Sequence, residues 1–132
     1  MLDTDQLLRI LSDKGILEIL DFLANNTGVR SQTLRDKFGF SIKQYYSRIH
    51  KLMEYGLVNR KSRVFTLTSF GIVVYQNKRR IDAAIREYSN LKAIDAIKAT
   101  NKLAPEIREK VIDNIVTDDD VKTTLRTFVV DA

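Results

Sequence analysis

Cysteine is absent from the 132-residue sequence, and histidine occurs once, at position 50. Without thiols, neither a disulfide framework nor a thiolate metal site is available, and one imidazole cannot anchor an ordinary zinc centre. Long apolar runs are missing as well: none approaches the ~18 residues that a membrane span needs. The opening MLDTDQLLRIL is acidic where a secretory signal is basic. No Gly-rich phosphate loop, paired acid, metal cluster or nucleophile with a partnered base is visible, so an enzyme is not expected. What remains is the length of one domain with 44% hydrophobic and 30% charged residues, the balance of a soluble globule with a real core. A soluble, cytoplasmic protein without cofactor is the expectation.

The net charge of +5 becomes informative only when it is located. Residues 1 to 29 carry 2 basic and 5 acidic side chains, residues 30 to 80 carry 12 and 2, and residues 81 to 132 carry 8 and 10. The whole surplus therefore lies in one central block between slightly acidic flanks, the electrostatic footprint of a polyanion partner.

Five glycines, at 15, 28, 39, 56 and 71, divide the first half into short pieces, and none follows. Leu7, Leu8 and Leu11 mark a first helix behind Asp3 or Thr4. Ile16, Ile19, Leu20 and Leu23 recur at i, i+3, i+4 and i+7 and mark a second. Ser31 is expected to cap a brief helix carrying Leu34 and Phe38. Ser41 opens the next with an S-x-x-Q capping box to Gln44 and a staple of Phe40 on Tyr45; Ile42, Tyr46, Ile49, Leu52 and Met53 form its inward stripe. Two β-prone segments, Leu57 to Arg60 and Val64 to Leu67, flank Lys61-Ser62-Arg63 as a two-stranded hairpin. A helix of ~30 residues then runs from Ser69 toward Thr100, ~45 Å at 1.5 Å per residue. Phe70, Val74, Asn77, Ile81, Ala84, Tyr88, Leu91 and Ile94 follow coiled-coil spacing along it. Pro105 starts a helix with Ile107, Val111 and Ile115 on one face, and Thr117 to Asp120 reads as a T-x-x-D capping box for a last helix. The aspartates at 118 to 120 lack the alternating layout of a calcium loop and suit a first helical turn.

Helix, short helix, tight turn, helix and hairpin is the order of a winged helix-turn-helix, whose third helix enters the DNA major groove. Ser41-Ile42-Lys43-Gln44-Tyr45-Tyr46-Ser47-Arg48-Ile49, followed by Lys51 to Val58 and by Leu67-Thr68-Ser69-Phe70-Gly71, resembles the recognition helix, wing and post-wing helix of archaeal winged-helix transcriptional regulators. It is similar more distantly to MarR-type regulators. The strings K-Q-Y-Y-S-R, L-T-S-F-G and L-K-A-I-D, at Lys43, Leu67 and Leu91, resemble small winged-helix proteins of ammonia-oxidising archaea. The resemblance covers roughly residues 12 to 98, implies a dimeric DNA-binding regulator, and brings no catalytic residues; the very short wing tip departs from many such proteins.

The expected fold is mainly α: a winged helix-turn-helix over residues 1–68 with its wing at about 57–67, a long dimerisation helix over 69–100, and C-terminal helices over 105–132. On the third helix, about 41–55, Lys43, Gln44, Ser47, Arg48 and Lys51 are expected to face outward. Arg48 is the candidate reader of guanine O6 and N7, its rival role being a surface ion pair. Gln44 divides between reading adenine and closing the capping box. Tyr45 divides between the staple and a phosphate. Ser41, at the same helix start, is also an expected DNA contact, and Lys43, Ser47 and Lys51 suit phosphates, as do Ser31 and Arg35 on the preceding helix. Arg60, Lys61 and Arg63 on the wing extend this surface, whereas Lys78, Arg79, Arg80 and His50 read as solvated.

The implied partner is double-stranded DNA, bound by a nucleoid-associated homodimer with half-sites ~34 Å or a multiple apart. Val74, Asn77, Ile81, Ala84, Tyr88 and Leu91 would form the dimer seam, with the C-terminal helices packing on the long helix or on the partner subunit. Two other readings stay open: an architectural chromatin protein with little sequence preference, and a winged-helix module that meets an acidic protein. A small-molecule effector is not legible in the sequence.

Overall fold

The computed structural model describes residues 2–100 and 104–128. Within them the chain is mainly helical, with a small three-stranded antiparallel sheet. It divides into two compact units at the boundary between Gln76 and Asn77.

The first unit begins with α1 (Thr4–Leu11) and α2 (Lys14–Asn25). Asp3 caps α1 through a reciprocal box with Gln6, and Asp13 caps α2 by accepting from the Gly15 N–H at 2.9 Å. Next come β1 (Val29–Arg30), α3 (Ser31–Phe38), α4 (Ile42–Glu54), β2 (Val58–Lys61) and β3 (Val64–Leu67). The Ser41 and Gln44 box opens α4 as its sequence demands. The expected two-stranded hairpin is a three-stranded sheet in the order β1-β3-β2, with Val29 opposite Phe65 and Lys61 opposite Val64. The added strand has two residues, too few for an alternation to register in sequence. Only Ser62 and Arg63 separate β2 from β3, and Ser62 takes the left-handed conformation at φ 60°.

Ile16, Ile19, Leu20 and Leu23 of α2 pack with Leu34 of α3, Ile49 and Leu52 of α4, Leu57 ahead of β2, and Val58 and Phe65 of the sheet. Each such side chain, fully buried, contributes roughly 1.5–3 kcal/mol of hydrophobic stabilisation. The stripe expected on α4 is rotated: Tyr45 is buried, whereas Ile42 and Tyr46 are exposed. The buried face 45, 49, 52 is itself an i, i+4, i+7 series, so helical periodicity alone allows either phase.

After β3, Thr68 turns the chain into α5 (Ser69–Arg86). Its hydroxyl accepts from the Gly71 N–H at 2.9 Å and donates to the Gly56 carbonyl at 2.6 Å. Gly71 is required by the same corner, because a Cβ there would strike the Leu57 carbonyl, whose carbon would be 3.1 Å away. The L-T-S-F-G string is thus a capping and close-packing device. In this unit Tyr75 of α5 donates to Asp21 of α2 at 2.6 Å.

The second unit holds the end of α5, then α6 (Tyr88–Thr100), α7 (Pro105–Ile115) and α8 (Asp119–Thr127). The expected continuous helix over 69–100 is interrupted at Glu87. The Glu87 carboxylate, buried, accepts from the Thr117 hydroxyl, the Thr117 and Asp118 N–H groups and the Asn90 amide. Hydrogen bonds from Thr117 and Asn90 outweigh the opposing effect of burial and hold its pKa at about 2. Thr117 therefore serves Glu87, and Asp118, accepting from Val121 N–H at 3.0 Å, is the true N-cap of α8. Ala83 and Ile94 pack with Ile112, Val116 and Val121, so the C-terminal helices cover this stretch in cis. The expected seam is accordingly split: Val74 is buried in the first unit's core, Leu91 packs against the second, and Asn77, Ile81, Ala84 and Tyr88 are exposed.

Candidate nucleic-acid interface

All the expected DNA-contacting residues lie in the first unit. The pairing of β1 with β3, and the hydrogen bond from Ser31 N–H to the Arg63 carbonyl at 3.0 Å, bring the start of α3 beside the β2–β3 turn. The result is a cleft of about 690 Å³ lined by four arginines, Arg30, Arg35, Arg60 and Arg63, together with Ser31 and Gln32. Four cations in one concavity concentrate positive charge, the kind of surface that attracts multiply charged anions. Sequence reasoning found Ser31, Arg35, Arg60 and Arg63 but missed Arg30 and Gln32, because their place depends on the two-residue strand. Arg60 is held against the β2–β3 hairpin, its Nε donating to the Ser62 carbonyl at 3.0 Å and its guanidinium 5.8 Å from the Phe65 ring. Lys61 is exposed on the outer edge of β2.

A second cleft, of about 430 Å³, adjoins the first through Ser31 and Arg60 and is walled by Tyr46, Ser47 and His50 of α4. Along α4, Lys43, Ser47 and Lys51 are exposed, as their spacing requires. Several expectations for this helix are corrected. Ser31 is not the cap of α3, since Arg30 holds that position; its hydroxyl lies 2.9 Å from the Tyr45 hydroxyl, which also donates to the Ser31 carbonyl at 3.3 Å. Tyr45 is therefore committed to the interior, and burial pushes its phenol above its ordinary pKa. The Phe40 ring stacks on Phe38 at 5.4 Å and lies under Arg48. Both Gln44 and Ser41 are engaged in the capping box.

Arg48 does not face outward. Its Nε lies 3.2 Å from Asp13 Oδ2, and its guanidinium sits 4.4 Å over the Phe40 ring. Burial alone would raise the Asp13 carboxyl, but hydrogen bonds from Arg48 and from the Gly15 N–H, with the Arg48 charge, hold it below its usual value. The absent side chain at Gly15 makes room for this pair, because a Cβ there would lie 2.5 Å from Arg48 Cζ. Asp13 is 35 residues away in sequence, a separation at which no local pattern reports a partner.

Among the described residues no group of three or more His, Cys, Asp or Glu could hold a metal ion, and no helix is long and apolar enough to cross a membrane. Compared with models of known protein families, with curated proteins and with solved structures, the chain matches none.

Proposed function

We propose that this chain is a DNA-binding transcriptional regulator of winged helix-turn-helix type that acts as a homodimer, with α4 in the major groove of duplex DNA. The observation that carries the reading is the four-arginine cleft, which adjoins a second cleft walled by Tyr46, Ser47 and His50 of α4, a helix that also exposes Lys43 and Lys51, all within one unit. The element order, with a helix ahead of a two-residue wing turn, is compatible with that fold. Phosphate contacts from Arg30, Arg35, Arg60 and Arg63 position the duplex; exposed side chains of α4 meet base edges. The reading is tested by titrating labelled duplexes over a range of salt. Arg63→Ala should weaken binding to every sequence and flatten the salt slope by about one unit. Absence of duplex binding at low salt would refute it, and equal affinity for arbitrary duplexes would replace it with an architectural role.

For the homodimer, support comes from the second unit. Ile81, Ile85 and Tyr88 are 59%, 67% and 61% exposed, an apolar stripe at helical spacing. Beside it, Ile81, Leu91, Val121 and Leu125 line a groove of about 470 Å³ with Arg80 on the α5 side and Asp120 on the α8 side. A twofold axis across this face sets the Arg80 side of one copy against the Asp120 side of the other, the self-complementarity of an isologous interface. Sedimentation should show a dimer at micromolar concentration and a monomer for Ile81→Asp; a wild-type monomer would remove the second copy from the proposal.

A further inference from the structure

The exposed side of α4 carries two large apolar side chains that its core does not use. Ile42 is 65% and Tyr46 54% exposed, one turn apart on the same face, although Tyr45, Ile49 and Leu52 show that this helix buries apolar residues wherever its inner face allows. Single exposed apolar residues need no explanation. An adjacent pair beside Lys43, Ser47 and His50, on a strongly basic surface, needs one. Tyr46 is also held in place, its ring edge-on to Tyr45 at 5.3 Å, and Tyr45 is itself fixed by Ser31.

Two polar side chains of α4 suited to bidentate base reading are meanwhile engaged, and the exposed Lys43 and Lys51 suit phosphates. Arg48 is paired with Asp13, and the Gln44 amide oxygen accepts from the Ser41 N–H. A helix in the major groove that offers carbon rather than a fork of donors can distinguish bases through the one apolar group displayed there, the C5-methyl of thymine. The cations around the pair supply the charge complementarity that would bring a duplex against it.

We propose that Ile42 and Tyr46 are specificity-determining residues that recognise thymine 5-methyl groups, so that the preferred duplex places thymines beneath the first turns of α4. This rests on the DNA-binding reading above. The test begins with duplexes selected from a random library by the full chain, in which each thymine is then replaced singly by uracil. Uracil lacks only the methyl and keeps every hydrogen-bonding group, so fold and groove electrostatics are preserved. At one or two positions uracil should weaken binding about fourfold, the worth of one buried methyl. In Ile42→Ala, and in Tyr46→Ala at its own position, thymine and uracil duplexes should bind equally, while the uracil duplex binds each variant about as well as it binds the wild type. Both substitutions fall at exposed positions, and circular dichroism checks that the variants fold. A selected site without thymine, or uracil tolerated everywhere, overturns this assignment and leaves the DNA-binding reading intact; failure of every duplex to bind overturns both.

Discussion

The ion pair between Asp13 and Arg48 joins the start of α2 to α4, and its carboxylate does two separable things. One oxygen caps α2 by accepting from the Gly15 N–H, and the same group carries the charge that holds Arg48. Asparagine caps a helix about as well as aspartate, so Asp13→Asn removes the charge and leaves the cap; Asp13→Ala removes both. With side chains 22% and 32% exposed, the pair lies near the surface regime, where such interactions are worth about 0.2–1 kcal/mol. A lost N-cap costs about 1 kcal/mol. Asp13→Asn should therefore lower stability by no more than about 1 kcal/mol, and Asp13→Ala by about 1–2 kcal/mol. Urea melts of the wild type, both variants, Arg48→Met and the double variant Asp13→Asn/Arg48→Met give the coupling directly. The Asp13→Asn deficit should shrink in high salt. Because the folded carboxyl is held below its ordinary 3.8, its contribution is present above that pH and is lost as pH falls through the lowered value. A coupling of zero, or a deficit for Asp13→Asn equal to that of Asp13→Ala, would refute this division. In Asp13→Asn, Arg48 loses its carboxylate partner, so duplex binding should steepen in salt by up to about one unit.

Tyr45→Phe should cost about 1 kcal/mol through the lost contacts with Ser31 and leave duplex affinity unchanged, whereas a phosphate-contacting hydroxyl would lower the salt-dependent affinity instead. Glu87 stabilises the folded chain above its ordinary 4.5, and that stability drains away as pH falls toward about 2. Acid titration followed by circular dichroism should show that Glu87→Gln is less stable than the wild type at neutral pH and that the gap closes in acid; a gap independent of pH would be wrong for a paired carboxylate. Gly71→Ala should cost several kcal/mol, at the upper end for single substitutions, because the added methyl meets backbone at Leu57 rather than a movable side chain. A thermal melt within a degree or two of wild type would refute that corner geometry.

By itself the sequence determined what depends on neighbours within a turn or two. The S-x-x-Q box at Ser41, the spacing of Ile16 to Leu23 and the stop at Gly39 appear as read, because caps and periodic faces are local. The concentration of charge in residues 30 to 80 was equally legible, being a count along the chain. Tertiary structure decided the rest. It set which face of α4 turns inward: Tyr45 is buried with its hydroxyl on Ser31, fourteen residues away, while Ile42 and Tyr46 stay on the exposed side. It turned Arg48 from an outward reader into the partner of Asp13, and it broke the long helix where the Glu87 carboxylate meets Thr117 and Asp118. A guanidinium or a carboxylate takes its role from the group opposite it, and that group is supplied by the fold rather than by the residues beside it in the chain.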